Sequence, residues 1–301
     1  MKNTLLPFII VLRPYQWTKN LLVFSGLIFS VSFFNKQHLQ LSIAAFGIFC
    51  LASSGVYILN DLKDIRRDMR HPEKRMRPIP AGKISILHAR ILMTLLIAFA
   101  SYFAFMVGKS FFIILMLYFI FNISYSFGLK NVVILDAMIV AMGFLLRAVS
   151  GCVAIHVNVS PWLFICSLML SMLLSFGKRR NELNVLRDDA RIHRNSLQFY
   201  TVQLLDMILT ICAAASIVTY SLYTMALETI HRFGSQRLIM TTPFVLFGVF
   251  RYLYLIYTQN KGGDPTKLLS TDLPTIINGI LWVLCIVYII YGAKILPLIS
   301  I

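Results

Sequence analysis

The sequence predicts an all-α, polytopic membrane protein: nine transmembrane helices in one integral membrane domain, residues 1–301. Three observations predict it. The mean hydropathy is +0.77 and 58% of residues are hydrophobic, while only 13% are charged, about half the share of an ordinary soluble domain. The apolar residues fall into segments close to the roughly 20 residues a membrane helix needs. Most of the 28 lysines and arginines cluster in alternate loops, the asymmetry that sets membrane orientation.

The apolar segments are residues 17–34, 39–59, 84–107, 110–127, 132–153, 161–176, 204–227, 238–258 and 275–296. The first is the weakest, because Lys19 and Asn20 sit inside its start, and the sixth is short. Before them, Leu5 to Leu12 reads as a retained amphipathic entry segment, since Arg13-Pro14 interrupts it and no small-residue cleavage site follows. The basic loops place the N-terminus and the charged loops in the cytoplasm and, nine being odd, the C-terminus outside a cell (inner) membrane. Five cysteines lie in apolar segments without a C-x-x-C pair and read as packing residues. The net charge of +16, distributed this way, points to orientation and anionic substrates, with no nucleic-acid partner.

The stretch from Asn60 to Lys83 holds Asp61, Asp64, Asp68 and Glu73 among Lys63, Arg66, Arg67, Arg70, Lys74, Arg75, Arg77 and Lys83. On a helix, Asp61, Asp64 and Asp68 share one face, with Asn60 on the row beside them. Carboxylates so placed repel each other unless a cation sits among them, and oxygen ligands with room for waters and phosphates suit Mg²⁺. His71-Pro72 is expected to end that helix, and the bases beyond it to meet phosphate oxygens. A positive-inside loop accounts for the bases but not for the acidic stripe.

Three further clusters can carry chemistry. Lys178, Arg179, Arg180 and Glu182 follow the sixth segment, where arginine forks suit phosphate; a basic helix cap is the alternative. Tyr125 and Lys130 flank a turn ahead of Asp136, and Arg147 lies about three helical turns beyond that aspartate. Asp136 and Arg147 line a polar stripe facing a cavity, or Arg147 snorkels to the outer interface. Lys261-Gly262-Gly263-Asp264 offers backbone amides to an anion but is not a Walker loop. The histidines have no metal-ligand spacing, and there is no G-x-S-x-G.

Asn60-Asp61-Leu62-Lys63-Asp64-Ile65-Arg66-Arg67-Asp68 resembles the N-D-x-x-D-x-x-x-D motif of the UbiA superfamily of intramembrane prenyltransferases. The resemblance implies nine helices around a central cytoplasm-facing cavity, with Mg²⁺ on Asn60, Asp61, Asp64 and Asp68. Aromatic prenyltransferases of that superfamily carry a second aspartate motif after the sixth span; here Gly177 to Leu183 is basic with one acid. That run, Arg13 to Asn20, His71 to Pro78, Tyr125 to Lys130, Gly143 to Arg147 and Lys261 to Pro265 are similar to the decaprenyl-phosphate phosphoribosyltransferase branch. The implied reaction moves 5-phosphoribose from phosphoribosyl diphosphate (PRPP) to a polyprenyl phosphate, within cell-envelope synthesis. Asp61, Asp64 and Asp68 are then catalytic. Lys19, Asn60, Lys74, Arg75, Arg77, Tyr125, Lys130, Arg147, Lys178, Arg179, Arg180, Glu182 and Lys261 bind substrate. A homo-oligomer is compatible with such a chain. The alternatives are prenyl transfer to an aromatic or other small acceptor, and a non-catalytic lipid-binding or transport protein.

Overall fold

Asn35 opens the longest described helix. Its side-chain oxygen accepts from the backbone N–H groups of Gln37 (3.0 Å) and His38 (3.2 Å), satisfying donors that the first turn leaves without partners. The structure is a computed structural model and describes residues 5–70, 74–186, 195–259, 263, 268 and 271–299. In chain order the helices are α1 (Leu6–Leu12), α2 (Ser25–Phe29), α3 (Lys36–Lys63), α4 (Ile65–Asp68), α5 (Ile86–Val107), α6 (Lys109–Phe127), α7 (Leu135–Ala154), α8 (Pro161–Leu186), α9 (Val202–Met225), α10 (Leu227–Phe233), α11 (Thr242–Gln259) and α12 (Leu273–Ile299). No strand occurs among the described residues. Eight helical stretches in them are long and apolar enough to cross a membrane.

The predicted segment 17–34 is not among those eight. Arg13 adopts a left-handed conformation (φ 55°), a 3-10 helix runs from Pro14 to Phe24, and the five-residue α2 follows. Segment 161–176 errs the other way: α8 continues ten residues past Phe176, through Lys178-Arg179-Arg180. Hydropathy measures where a residue partitions, whereas helical hydrogen bonding continues through charge wherever the charge finds a partner.

The chain divides into two compact units. The first comprises residues 1–27, 35–129 and 146–158. Its core joins Phe49, Val56 and Ala52 of α3 to Ala100 and Ala104 of α5 and to Phe111, Leu115 and Tyr118 of α6. Ser42, Ser53 and Ser54 of α3 are buried, small residues that let helices approach closely. Gly108 (φ 152°) turns α5 directly into α6, in a region open to glycine. Gly151 of α7 lies so close to the Pro14–Phe24 helix that a Cβ there would stand 1.8 Å from the Val23 carbonyl oxygen.

The second unit comprises residues 28–34, 130–145 and 159–301. Here α8 packs along α9, and Leu173, Phe176, Leu205, Leu209, Tyr252 and Leu255 form the main core. Thr201 caps α9 at the Leu204 N–H (3.1 Å). Of the five cysteines, Cys50, Cys152 and Cys212 are buried, and Cys166 and Cys285 are partly buried.

Candidate active site: two charged clusters

The first cluster stands at the end of α3. The helix stops at Lys63 because Asp64 leaves helical geometry (φ −99°, ψ 11°), and the four-residue α4 restarts at Ile65. The three aspartates therefore do not share one unbroken helix face, a correction to the predicted stripe. Asp61 and Asp68 are nevertheless brought together, and both are buried, at 2% and 3% exposure. The chain then returns through the 3-10 turn Lys74–Met76 and presents Arg77. One Arg77 nitrogen, Nη1, lies 3.0 Å from Asp61 Oδ1 and 2.9 Å from Asp68 Oδ2. Arg13 Nη2 donates to the same Asp61 Oδ1, with its guanidinium 5.1 Å from the Tyr57 ring centroid. Among the described residues, Asp61 Oδ2 is buried without a hydrogen-bond partner. Asn60 Oδ1 accepts from the Ser126 hydroxyl of α6.

Of the bases expected near this cluster, Lys74 is half-buried and Arg75 is exposed. Tyr125 is half-buried on α6, one residue before Ser126. Glu73 and the helix-ending His71-Pro72 lie outside the described residues, as does Lys261. Lys19 is half-buried in the Pro14–Phe24 helix, beside the fully buried Asn20.

Asn20 belongs to a polar group inside the first unit. Arg147 Nε donates to Asn20 Oδ1 (2.7 Å) and Arg147 Nη2 to the Tyr118 hydroxyl (3.0 Å). Asn20 Nδ2 in turn faces Cys50 Sγ and Ser53 Oγ, each at 3.3 Å. Arg147 is only 5% exposed. That burial argues against snorkelling, since a snorkelling arginine keeps its head in water; Arg147 is instead bonded to Asn20 and Tyr118.

The second cluster belongs to the second unit. Arg179, on α8, donates from Nε to Asp136 Oδ2 (2.6 Å) and from Nη1 to Glu182 Oε2 (2.8 Å). Asp136, at the start of α7, is fully buried. It also accepts from Ser196 Oγ (3.1 Å) and from the Tyr200 hydroxyl (2.7 Å), and the Ile134 N–H donates to that hydroxyl (2.7 Å). Burial, and then the bond to Asp136, push the Tyr200 phenol well above its usual range, so it remains a protonated donor. Arg180 donates from Nε to Asp206 Oδ1 (2.5 Å) and lies 4.2 Å from the Tyr257 ring centroid. Lys178 is largely exposed, its Nζ 3.9 Å from Glu182 Oε1; Glu182 sits closer to Arg179. Lys130 is half-buried in the 3-10 turn Leu129–Asn131.

A third pair holds the last span. Arg251 grips Asp272 through two bonds (3.0 and 2.9 Å). Asp272 Oδ2 also accepts from the Thr275 backbone N–H (3.1 Å) and hydroxyl (2.7 Å), capping α12. The arginine bonds, together with those from Thr275, hold this carboxyl well below its ordinary value of 3.8, against a smaller opposing effect of desolvation. A depressed carboxylate stabilises the fold fully above its unfolded value and loses that contribution as pH falls through and below it. The Asp272→Asn variant is therefore expected to unfold at a lower temperature than wild type at pH 7. The gap should narrow below about pH 4, and thermal unfolding at the two pH values checks it.

Sequence reasoning missed four residues of these clusters: Arg13 as a partner of Asp61, Tyr118 for Arg147, Tyr200 for Asp136 and Asp206 for Arg180. Each joins elements far apart in the chain. The one local signal was Arg13-Pro14, a charge and a helix-breaking residue at the edge of an apolar segment.

The chain is similar to known proteins of one family. The UbiA prenyltransferase family model matches residues 20–271. The decaprenyl-phosphate phosphoribosyltransferase of Corynebacterium glutamicum is 31% identical over 296 residues, covering 96% of this chain and 88% of that one. The protein of the same name from Mycolicibacterium smegmatis is 34% identical over 226 residues, covering 74% and 71%. A solved structure of a UbiA homologue from Archaeoglobus fulgidus, bound to GPP and Mg²⁺, superposes with a TM-score of 0.72 at 18% identity, over 94% of this chain and 99% of that one. The protein is a multi-pass membrane transferase, and it belongs to the UbiA prenyltransferase family.

Proposed function

We propose that the protein transfers 5-phosphoribose from PRPP to a polyprenyl phosphate, with Mg²⁺ as cofactor. The observation that carries this reading is similarity, over 96% and 74% of the chain, to two relatives named for decaprenyl-phosphate phosphoribosyl transfer. The basic second cluster supports it: Arg179 and Arg180 stand where a prenyl-diphosphate enzyme would carry its second set of aspartates.

The donor set of the first cluster fits a divalent cation. Asp61 and Asp68 already place one oxygen each about a single cationic nitrogen, and Asp61 Oδ2 is a buried acceptor without a partner among the described residues. Among those residues no group of three His, Cys, Asp or Glu side chains is gathered to hold a metal; Asp64 and Asn60 would complete the set. Bound there, Mg²⁺ supplies Lewis-acid neutralisation of the donor diphosphate.

In the reaction, an acceptor phosphate oxygen forms a bond to the ribose C1. The bond from C1 to the diphosphate breaks, and its electron pair leaves with the diphosphate. The nucleophile is already an anion, so no general base is needed, and the side chains contribute positioning and charge. Lys74, Arg75 and Arg77 take part of the leaving-group charge. Lys130, Lys178, Arg179 and Arg180 hold the 5-phosphate or the acceptor phosphate, with Arg179 and Arg180 aimed by Asp136 and Asp206. The charged loops face the cytoplasm, where a water-soluble donor is supplied.

The test incubates purified protein in nanodiscs with Mg²⁺, ribose-labelled PRPP and a polyprenyl phosphate, with EDTA as control. Label is expected in the lipid extract only with Mg²⁺. An unlabelled extract, with prenyl diphosphate consumed in a parallel reaction, would instead assign the protein to prenyl transfer.

A further inference from the structure

The carboxylates of Asp61 and Asp68 are nearly inaccessible to water. Buried charges of like sign must be compensated at every stage of the protein's life, or they destabilise the fold. Two arginines do this, and they differ in kind. Arg13 is 16% exposed, packs over Tyr57 and sits at the left-handed junction that fixes the entry of the Pro14–Phe24 helix. It is built into the fold. Arg77 is 33% exposed and follows a surface turn, so its guanidinium can move into water at small cost. Yet Arg77 holds the central position, one nitrogen bridging two carboxylates on either side of the helix break.

We propose that Arg77 is an exchangeable counter-ion: it occupies the cation position between Asp61 and Asp68 in the metal-free protein and gives that position up when a divalent ion binds. The inference rests on the proposed Mg²⁺ dependence and goes beyond it. A guanidinium and a metal ion cannot occupy one position. Arg13 keeps Asp61 oriented through the exchange because its own contacts do not depend on Arg77. Once displaced, Arg77 stands beside the metal with an unspent charge, placed to meet the diphosphate that arrives with it. Metal loading would thus arm the anion site, and the metal-free protein would keep its arginine occupied.

The experiment measures metal binding without turnover. Mn²⁺ is titrated into full-length protein in nanodiscs and the free ion read by electron paramagnetic resonance, for wild type, Arg77→Gln, Arg77→Lys and Arg66→Gln. Arg66 is exposed and nearby in sequence, so its variant removes the same charge without removing the bridge. Arg77→Gln is expected to tighten Mn²⁺ binding by at least about tenfold, Arg77→Lys by less, and Arg66→Gln by under about twofold. In EDTA the Arg77→Gln variant should unfold at a lower temperature than wild type, and Mn²⁺ should restore it. Arg77→Lys, which keeps a cation at the position, serves where the glutamine variant fails to fold. Binding unchanged or weakened in Arg77→Gln would overturn the exchange, as would equal tightening in Arg66→Gln, which would reduce it to a field effect. Mn²⁺ bound by none of the proteins would overturn the metal reading itself along with the exchange.

Discussion

Replacing Asp61 with asparagine is expected to lower kcat by about 10²–10³-fold while leaving KM for the diphosphate donor unchanged or lower. Asparagine keeps the shape but loses the charge, so Arg13 and Arg77 are held only by weaker hydrogen bonds from a cation to a neutral amide and are readily released. What disappears is the charge that a divalent cation needs and that holds both guanidiniums in place. Released from the carboxylate, the arginines become better ligands for an anionic donor, so binding improves as the chemical step fails. A variant that lowered both constants through misfolding would instead show a shifted thermal unfolding midpoint. The measurement is steady-state transfer at saturating acceptor with the donor varied, alongside thermal unfolding. Wild-type kcat in folded Asp61→Asn would remove Asp61 from the catalytic assignment.

Most of the apolar spans were legible because hydropathy reports directly on partition between lipid and water. Eight of the predicted segments overlap helices able to span a membrane. Backbone detail was not legible by the same signals. Segment 17–34 is apolar enough for a span, yet its backbone is a 3-10 helix followed by the short α2, and the close approach of Gly151 to Val23 ties that geometry to a contact more than a hundred residues away. The helix break at Asp64 was equally hidden, since a period of 3.6 residues describes a helix once formed and is silent on where it stops. The identities of the acidic cluster were readable from spacing. Its counter-ions were only half readable, because Arg77 lies in the same loop and Arg13 lies across the fold. In the second unit the basic run was read as available charge, whereas Arg179 and Arg180 each hold a carboxylate contributed by another helix.

That last point separates two roles for Arg179 and leads to a large expected effect. Asp136→Asn removes a fully buried charge from an arginine that is itself 3% exposed, and breaking such a pair costs about 3–5 kcal/mol. The loss also loosens Tyr200 and Ser196, which converge on the same carboxylate. Replacing both members, as Asp136→Asn with Arg179→Met, removes the uncompensated charge and is expected to recover most of the unfolding temperature, because an apolar side chain of similar reach suits the space that an ion pair had to be desolvated to enter. Activity then divides the interpretations. With Arg179 aimed by Asp136 at a substrate phosphate, the double variant folds and its turnover falls by about 10²-fold. With Arg179 confined to joining α7 and α8, the double variant folds and turns over like wild type, and the phosphate contact passes to Lys178 and Lys130. Unfolding temperature and initial rate, measured on the single and double variants in the same nanodiscs, decide the matter because stability and catalysis are predicted to part company only when Arg179 meets substrate.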